Sequence, residues 1–218
     1  MDSLVEENYL KALFYLSNEK REVSVNELSK QLDIKMPTVT SMMKKLAGKK
    51  LVSYEKYKPI RLTVLGQNKA VAIIRKHRLT EMFLVEVMSF GWEEVHDIAE
   101  QIEHVDSPIF FKKMDEILGY PSFDPHGSPI PDVNGKIPVK TYYKLSEYKG
   151  GDVVKLKAVA NSSADFLRFL NSKGLSLETI IEVLLVESFD GTMTLAYKDK
   201  KEEVLSKVVC DRLLVEKN

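Results

Sequence analysis

Residues 24–48 read SVNELSKQLDIKMPTVTSMMKKLAG and hold two short helical patterns separated by a tight turn. Ser24, followed three residues later by Glu27, forms a capping-box pattern that predicts the start of the first helix. Pro37 stands where the first turn of the second helix tolerates proline, and Gly48 is placed to end that helix. The stretch therefore predicts a helix-turn-helix.

The flanking residues complete a winged form of this motif. Residues 6–19 carry apolar side chains at helical spacing, which predicts a helix before the motif. Residues 51–63 contain two β-prone runs around a basic tip with Pro59, which predicts a hairpin after it. Helix, helix, turn, helix and basic hairpin is the order of a winged helix-turn-helix, and we assign this domain to residues 1–74.

The rest of the chain divides into three segments that differ in sequence pattern. Residues 75–120 continue in helical patterns and predict a helical domain. Residues 121–144 alternate proline with glycine, which predicts an extended linker and not a packed element. Residues 145–218 combine β-prone runs with one short helix and an Asp190-Gly191 turn, which predicts a small barrel-like domain. We therefore expect a fold that is mainly α with small β parts.

Composition is typical of folded, soluble proteins. The 218 residues are 44% hydrophobic and 29% charged, and no apolar run approaches the roughly 18 residues that span a bilayer. The single cysteine excludes a disulfide framework and a zinc cage of several cysteines. The first residues are acidic, where a secretory signal is basic and then apolar. We therefore expect a cytoplasmic protein without membrane attachment.

Charge is distributed unevenly although the net charge is zero. Residues 1–78 hold 16 basic and 8 acidic residues, whereas residues 79–218 hold 16 basic and 24 acidic residues. This asymmetry favours contact between the first part and a polyanion. The alternative is that the charges lie on solvated helix faces whose counts happen to differ.

The third helix and the hairpin carry the candidate DNA contacts. In a helix-turn-helix, the N-terminal part of the second helix of the motif reaches base edges in the major groove. Short hydroxyl side chains bond to bases or phosphates, and lysines bond to phosphates. The candidates are Lys35, Pro37, Thr38, Thr40, Ser41 and Lys44 on the helix, with Lys56 and Lys58 on the hairpin. The alternative is a winged helix that contacts only protein.

Residues 95–105 read VHDIAEQIEHV and place imidazoles and carboxylates on one helix face. At about 100° per residue, that face holds His96, Glu100, Glu103 and His104. Upstream, His77 and Glu81 repeat the arrangement one helical turn apart. Nitrogen and oxygen donors without thiolate suit a divalent metal ion, and two such helices packed together would form a cluster. The alternative is a solvated face with incidental histidines.

Catalysis finds little support in the sequence. The histidines do not follow the His-Glu-x-x-His order of zinc proteases, and we find no phosphate-binding glycine loop and no nucleophile–base pair. We expect Cys210 to be a small buried hydrophobe and His126 to be a turn residue. Two rival functions stay open. One is a regulator that senses a small organic ligand through the Met/Phe stripe of residues 79–90, and the other is a metalloenzyme that uses the His/Glu residues.

Six short segments match a known family. They are Glu7-Asn8-Tyr9-Leu10, Pro37-Thr38-Val39-Thr40, Tyr54-Glu55-Lys56-Tyr57, Arg75-Lys76-His77-Arg78-Leu79, Val95-His96-Asp97 with Glu103-His104-Val105, and Pro129-Ile130-Pro131. Over about the first 140 residues, the chain resembles the diphtheria-toxin-repressor family of metal-dependent transcriptional regulators. The resemblance implies a homodimer in which Mn²⁺ or Fe²⁺ switches on binding to a palindromic operator in double-stranded DNA. It also implies repression of metal-uptake genes.

The resemblance further assigns roles to the domains and residues. It makes residues 75–120 the metal-binding and dimerisation domain, and residues 145–218 an SH3-like (FeoA-like) domain. By residue, it implies a primary metal site at Glu100, Glu103 and His104 and a neighbouring site at His77, Glu81 and His96. For ligands from the SH3-like domain the sequence offers only guesses, Asn161 and Asp165.

Two positions distinguish the iron and manganese branches of the family, and Lys11 is a further departure from the manganese branch. The iron branch has cysteine in place of Glu100 and methionine in place of Asn8, whereas the manganese branch has carboxylates at both. Glu100 therefore favours a hard ion such as Mn²⁺. Asn8 departs from both branches, so its amide oxygen, the adjacent Glu7 or a bare helix end remain the alternatives there. Lys11 stands where the manganese branch has another carboxylate, which argues against a full two-metal site.

Overall fold

The computed structural model describes residues 3–19, 22–139, 141–160 and 162–218. The guess at Asn161 lies outside these residues. Within them the chain forms two compact units. The first unit is drawn from Met1–Thr80, Ala99–Ile117 and Ile130–Ile137, and the second from Glu81–Ile98, Leu118–Pro129 and Pro138–Asn218.

Helices dominate the chain up to residue 117. In order they are α1 (Leu4–Glu19), α2 (Val25–Leu32), α3 (Met36–Gly48), α4 (Val64–Glu86), α5 (His96–Ile102) and α6 (Pro108–Ile117). Between α3 and α4, strands β1 (Val52–Ser53) and β2 (Arg61–Leu62) pair antiparallel and form the wing. The predicted winged helix-turn-helix is therefore present.

Local hydrogen bonds explain the helix-turn-helix. Ser24 Oγ accepts the Glu27 N–H at 3.2 Å, and the Glu27 carboxylate accepts the Ser24 N–H at 2.9 Å, which is the predicted capping box. Asp33 ends α2 in the left-handed region with φ 52°, so the chain turns sharply before α3. Pro37 lies in the first turn of α3, where its missing N–H has no intrahelical partner to lose.

One apolar core holds the first unit together. Its fully buried side chains include Tyr9, Leu10 and Leu13 of α1, Leu28 of α2, and Val39, Met43 and Leu46 of α3. Each such side chain contributes about 1.5–3 kcal/mol to folding. Gly66 lets α4 begin against the wing, because a Cβ there would lie 1.9 Å from the Leu51 carbonyl oxygen. The core thus ties α1 to the helix-turn-helix.

Part of the proline-rich segment also belongs to this unit. Ile130 is buried, and the Arg75 guanidinium donates to the Pro131 carbonyl and to the Asp115 carboxylate, both at 2.5 Å. The prediction that residues 121–144 are an unpacked linker is therefore wrong for this part. Its prolines restrict the backbone, but its other residues pack and hydrogen-bond.

A six-stranded antiparallel sheet forms most of the second unit. The strand order is β3-β8-β4-β5-β6-β7. The strands are β3 (Tyr143–Lys144), β4 (Val153–Val159), β5 (Ile180–Val186), β6 (Met193–Tyr197), β7 (Lys200–Leu205) and β8 (Leu213–Lys217). Helices α7 (Ala164–Lys173) and α8 (Lys207–Cys210) accompany the sheet. This arrangement fits the expected small β domain.

The second unit has its own core. It includes Leu156 and Leu167 as well as Cys210, which is fully buried as predicted. Burial, with the nearby charge of Asp211, raises the pKa of the Cys210 thiol to about 12, so the thiol stays protonated and unreactive at neutral pH.

A tight loop fastens residues 124–128 to this unit. Asp124 Oδ1 accepts the N–H groups of His126 and Ser128, each at 2.9 Å, and the His126 carbonyl accepts the Val159 N–H of β4. Gly127 has φ +84°, and a Cβ there would lie 2.2 Å from the Lys157 carbonyl oxygen. Only glycine satisfies both conditions, so the loop is held close to β4.

Candidate functional site

Helices α1 and α4, the last turn of α5 and the turn that follows it bring charged and imidazole side chains of the first unit together around a buried carboxylate. We call Glu7, Lys11, His77, Glu100, Glu103 and His104 the Glu103 cluster. Glu103 is fully buried; its Oε1 accepts from Lys11 Nζ at 2.7 Å, and its Oε2 lies 2.5 Å from His77 Nδ1. Lys11 also donates to Glu100. One ligand atom each of His77, Glu100 and Glu103 lies within 4.8 Å of the others.

His104 completes the cluster from the other side. Its Nδ1 lies 2.5 Å from a carboxylate oxygen of Glu7, so in the neutral ring Nδ1–H donates and Nε2 carries the lone pair. That Nε2 is buried, has no hydrogen-bond partner among the described residues, and lies 3.5 Å from Glu103 Oε1. This is the arrangement of a histidine that ligates metal through Nε2.

A second acceptor on α1 is also left unsatisfied. Asn8 Oδ1 is buried and has no hydrogen-bond partner within the described part of the chain. Leaving such a group unpaired costs about 1–3 kcal/mol. Asn8 lies between Glu7 and Lys11 in sequence, the two residues of α1 that contact the cluster. A bound cation would satisfy both of these buried acceptors.

The net charge of the Glu103 cluster also favours a bound cation. Three carboxylates and one ammonium leave a formal charge of −2 when the imidazoles are neutral. Burial alone would lower the pKa of Lys11, but Glu103 and Glu100 outweigh burial and raise that pKa, so the ammonium stays charged. A divalent cation would neutralise the remaining charge. The donor set therefore fits an ion such as Mn²⁺ or Fe²⁺.

The second unit holds another compact group of ligand atoms. We call Glu81, Asp124 and His126 the His126 cluster; one ligand atom of each lies within 4.8 Å of the others, and all three are buried. His126 Nε2 donates to the Trp92 carbonyl oxygen at 2.8 Å, and its Nδ1 lies 3.6 Å from Glu81 Oε2. The backbone bond orients the ring so that Nδ1 faces the carboxylate.

Electrostatics and stacking hold the His126 ring in place. Burial alone would lower the pKa of His126, but the bond and charge of Glu81 and the charge of Asp124 raise it above its ordinary value. The ring stacks on the indole of Trp92 with centroids 6.0 Å apart. Sequence reasoning missed this residue, which lies in a turn as expected but is buried. The one available signal was the Asp124-Pro125-His126 triplet in the proline-rich segment.

The remaining predicted ligands are distributed as follows. His96 Nδ1 lies 3.3 Å from Glu81 Oε1, so these two members of the expected neighbouring site are in contact. Asp165 is exposed and pairs with Arg168 one turn along α7. Metal ligation by the predicted residues stays a prediction.

α1 also contacts the helix expected to read DNA. The Glu6 side chain is buried and accepts from Lys49 at 2.7 Å and lies 3.0 Å from Lys45, both at the C-terminal end of α3. Burial alone would raise the pKa of Glu6, but the bonds from Lys49 and Lys45 outweigh it and leave that pKa below its ordinary value. One helix thus carries metal-cluster residues and an ion-pair link to α3.

The predicted DNA contacts lie on an open surface of the first unit. The exposed ones are Lys35, Pro37, Thr38, Ser41 and Lys44 of the α3 region and Lys56 and Lys58 of the wing, while Thr40 is half-buried. A groove of about 1100 Å³ is lined by residues of both elements, among them Met36 and Tyr54. α3 begins without a side-chain cap; Pro37 has no N–H, and the Thr38 N–H donates to the Lys35 carbonyl oxygen at 2.9 Å.

Among the helices of the described residues, none is both long enough and apolar enough to cross a membrane.

Three family models match consecutive parts of the chain. The model of the "Iron dependent repressor, N-terminal DNA binding domain" matches residues 3–60. The model of the "Iron dependent repressor, metal binding and dimerisation domain" matches residues 63–132, and the "FeoA domain" matches residues 143–217.

Curated relatives match the first part of the chain. The chain is 34% identical over 133 residues to the iron-dependent repressor IdeR of Mycobacterium tuberculosis, which is 60% of this chain and 58% of that protein. It is 29% identical over 136 residues to the diphtheria toxin repressor of Corynebacterium diphtheriae, covering 62% of this chain and 60% of that one. The match thus spans less than two thirds of these relatives.

Solved structures match over nearly the whole chain. A manganese-dependent transcriptional repressor in complex with manganese is 30% identical with a TM-score of 0.86, covering 98% of this chain and 100% of that one. ScaR with bound Cd²⁺ is 33% identical with a TM-score of 0.79, covering 98% and 99%. The manganese regulator SloR is 30% identical with a TM-score of 0.75, covering 98% of each chain.

Proposed function

The chain belongs to the diphtheria-toxin (iron-dependent) repressor family, and from this membership we propose that it is a transcriptional repressor whose DNA binding requires Mn²⁺ or Fe²⁺. The membership confirms the resemblance and the fold class predicted from the sequence. The family consists of DNA-binding repressors, not enzymes. We also propose that the protein acts in the cytoplasm and represses genes for metal uptake.

The observation that carries the proposal is the pair of unsatisfied acceptors at the Glu103 cluster. His104 Nε2 and Asn8 Oδ1 are buried without partners among the described residues, next to a cluster with an excess of negative charge. We assign Glu103, His104, Asn8 and Glu100 as the residues that hold the ion. Glu100, an oxygen ligand where the iron branch has cysteine, favours Mn²⁺.

The mechanism couples this site to α3 through α1. When bound, the ion supplies positive charge that favours an arrangement in which donors from α1 and from the α5 region lie close together. Asn8 and Glu7 then fix α1 against the residues around Glu103. Glu6, on the same helix, holds Lys45 and Lys49, so a fixed α1 also fixes α3. The metal needs only to bind the DNA-competent arrangement better than the other.

A homodimer would present two copies of α3 to DNA. Helix α6 exposes the apolar side chains of Ile109, Phe110 and Ile117, which suit a surface buried between subunits. Two-fold symmetry predicts a palindromic operator with the α3 helices about 34 Å apart, in successive major grooves.

A DNA-binding titration tests the proposal. At a stated salt concentration, we expect operator affinity about 100-fold higher with Mn²⁺ than with a chelator, which corresponds to roughly 3 kcal/mol. The measurement is a gel shift or fluorescence anisotropy with the chain's own promoter DNA. Equal affinity in both conditions would favour the alternative of an organic-ligand sensor, and metal-dependent turnover of a substrate would favour the metalloenzyme.

We further propose that the His126 cluster is a second metal site, which gives a spectroscopic prediction. Trp92 is the sole tryptophan and stacks on His126, so paramagnetic Mn²⁺ at this site should quench its fluorescence. The His126→Ala variant should raise the Mn²⁺ concentration for half-maximal quenching about tenfold or more. A fluorescence titration at fixed pH measures this.

The control for this prediction leaves the His126 cluster intact. In the Glu103→Gln variant, the Trp92 quenching curve should match that of the parent, because Glu103 is not a member of the His126 cluster. If His126→Ala quenches as the parent does, the second site is not where we place it.

A further inference from the structure

A permanent cation lies among the candidate metal ligands. Lys11 follows Glu7 by one turn of α1, and its ammonium hydrogen-bonds both Glu100 and Glu103. Its side chain is only 10% exposed, and its Nζ lies 2.7 Å from Glu103 Oε1. A buried lysine paired with two carboxylates occupies oxygen atoms that a divalent ion also requires.

The position of His104 makes this overlap specific. Its unpartnered Nε2 lies 3.5 Å from the same Glu103 Oε1 that accepts from Lys11. An ion bound to both of these atoms would share one carboxylate oxygen with the ammonium. Like charges this close repel strongly in a buried pocket, where the effective dielectric constant is low. The flexible four-carbon stem of lysine allows its ammonium to move towards solvent.

We propose that Lys11 is an internal competitor of the metal ion. Its ammonium holds Glu100 and Glu103 in the metal-free protein and leaves them when one divalent ion binds. In the absence of metal, Lys11 offsets the repulsion between the buried carboxylates. It thereby sets the metal concentration at which the site fills, and it limits the Glu103 cluster to a single ion. This inference rests on the proposed function of the cluster.

Removing the competitor should tighten metal binding. In a calorimetric titration of the full chain, we expect Lys11→Met to lower the dissociation constant of Mn²⁺ at the Glu103 cluster about tenfold. Lys11→Arg should give a value closer to that of the parent. The matched control is Lys112→Met, which removes an exposed lysine of α6 and should leave the constant unchanged. An unchanged or larger constant in Lys11→Met overturns the proposal.

A measurement on the parent protein covers the case in which Lys11→Met does not fold. Amine acetylation followed by mass spectrometry reports how accessible each lysine is. Labelling of Lys11, relative to Lys112, should rise when Mn²⁺ is added, because the ammonium leaves the carboxylates. Equal or lower labelling with Mn²⁺ overturns the proposal. If the parent binds no Mn²⁺ at all, the proposed function fails instead, so the two failures are distinguishable.

Discussion

In the Glu103→Gln/His104→Ala double variant, we expect Mn²⁺ to lose its effect on operator binding. The first change removes the charge of the buried carboxylate but keeps its shape, and the second removes the imidazole nitrogen that has no hydrogen-bond partner among the described residues. Losing two ligands should weaken Mn²⁺ binding at this site by at least about 100-fold. DNA affinity with Mn²⁺ should then equal the affinity that the parent shows with chelator.

Controls separate a lost metal site from a lost fold. The double variant should keep the parent's helical circular dichroism and its dimer mass in size-exclusion chromatography. Glu187→Gln, which neutralises an exposed carboxylate in the second unit, should respond to Mn²⁺ as the parent does. If the double variant still gains operator affinity with Mn²⁺ to the parent's extent, the Glu103 cluster is not the activating site.

The helix-turn-helix was predictable because its determinants are local. The bonds between Ser24 and Glu27 join residues three apart, and the turn at Asp33 needs only its own backbone conformation. The face shared by Glu100, Glu103 and His104 likewise follows from helical periodicity. For such features, neighbouring residues contain all the information.

The His126 cluster was not predictable because it depends on contacts far apart in the chain. Asp124 and His126 lie in a segment whose prolines and glycines indicate a linker. That segment is nevertheless held against β4 by Gly127, and its His126 meets Glu81 from α4. Composition indicates where a backbone bends, but it does not indicate which residues the backbone packs against.

Strand β7 is hard to recognise in the sequence for a different reason. Lys200–Leu205 reads KKEEVL, and this strand lies at the edge of the sheet, next to β6. Charged residues on an edge strand discourage pairing with other molecules, and they hide the apolar alternation by which strands are recognised.

The contacts of Lys11 also depend on packing. The sequence shows that Lys11 replaces a ligand, but only the packing of α1 places its ammonium on Glu100 and Glu103.

On the DNA-binding surface, Thr38→Glu should reduce operator affinity by about 100-fold or more, because like charges brought together at an interface cost several kcal/mol. Thr38 is exposed near the start of α3, the end that enters the groove in this motif. A carboxylate there also interacts favourably with the helix N-terminus, so the variant should fold at least as well as the parent. Anisotropy with operator DNA measures the loss.

Comparison variants test whether the loss of operator affinity is specific to α3. Thr38→Ala removes only the hydroxyl contact and should lose less affinity than Thr38→Glu, and the difference between them should shrink as added salt screens the repulsion. Ser172→Glu adds the same charge at an exposed position of α7 and should bind DNA as the parent does. Mn²⁺ affinity should stay at the parent value in all three, because Thr38 lies outside the Glu103 cluster. Parent-like DNA binding by Thr38→Glu would mean that α3 does not enter the groove.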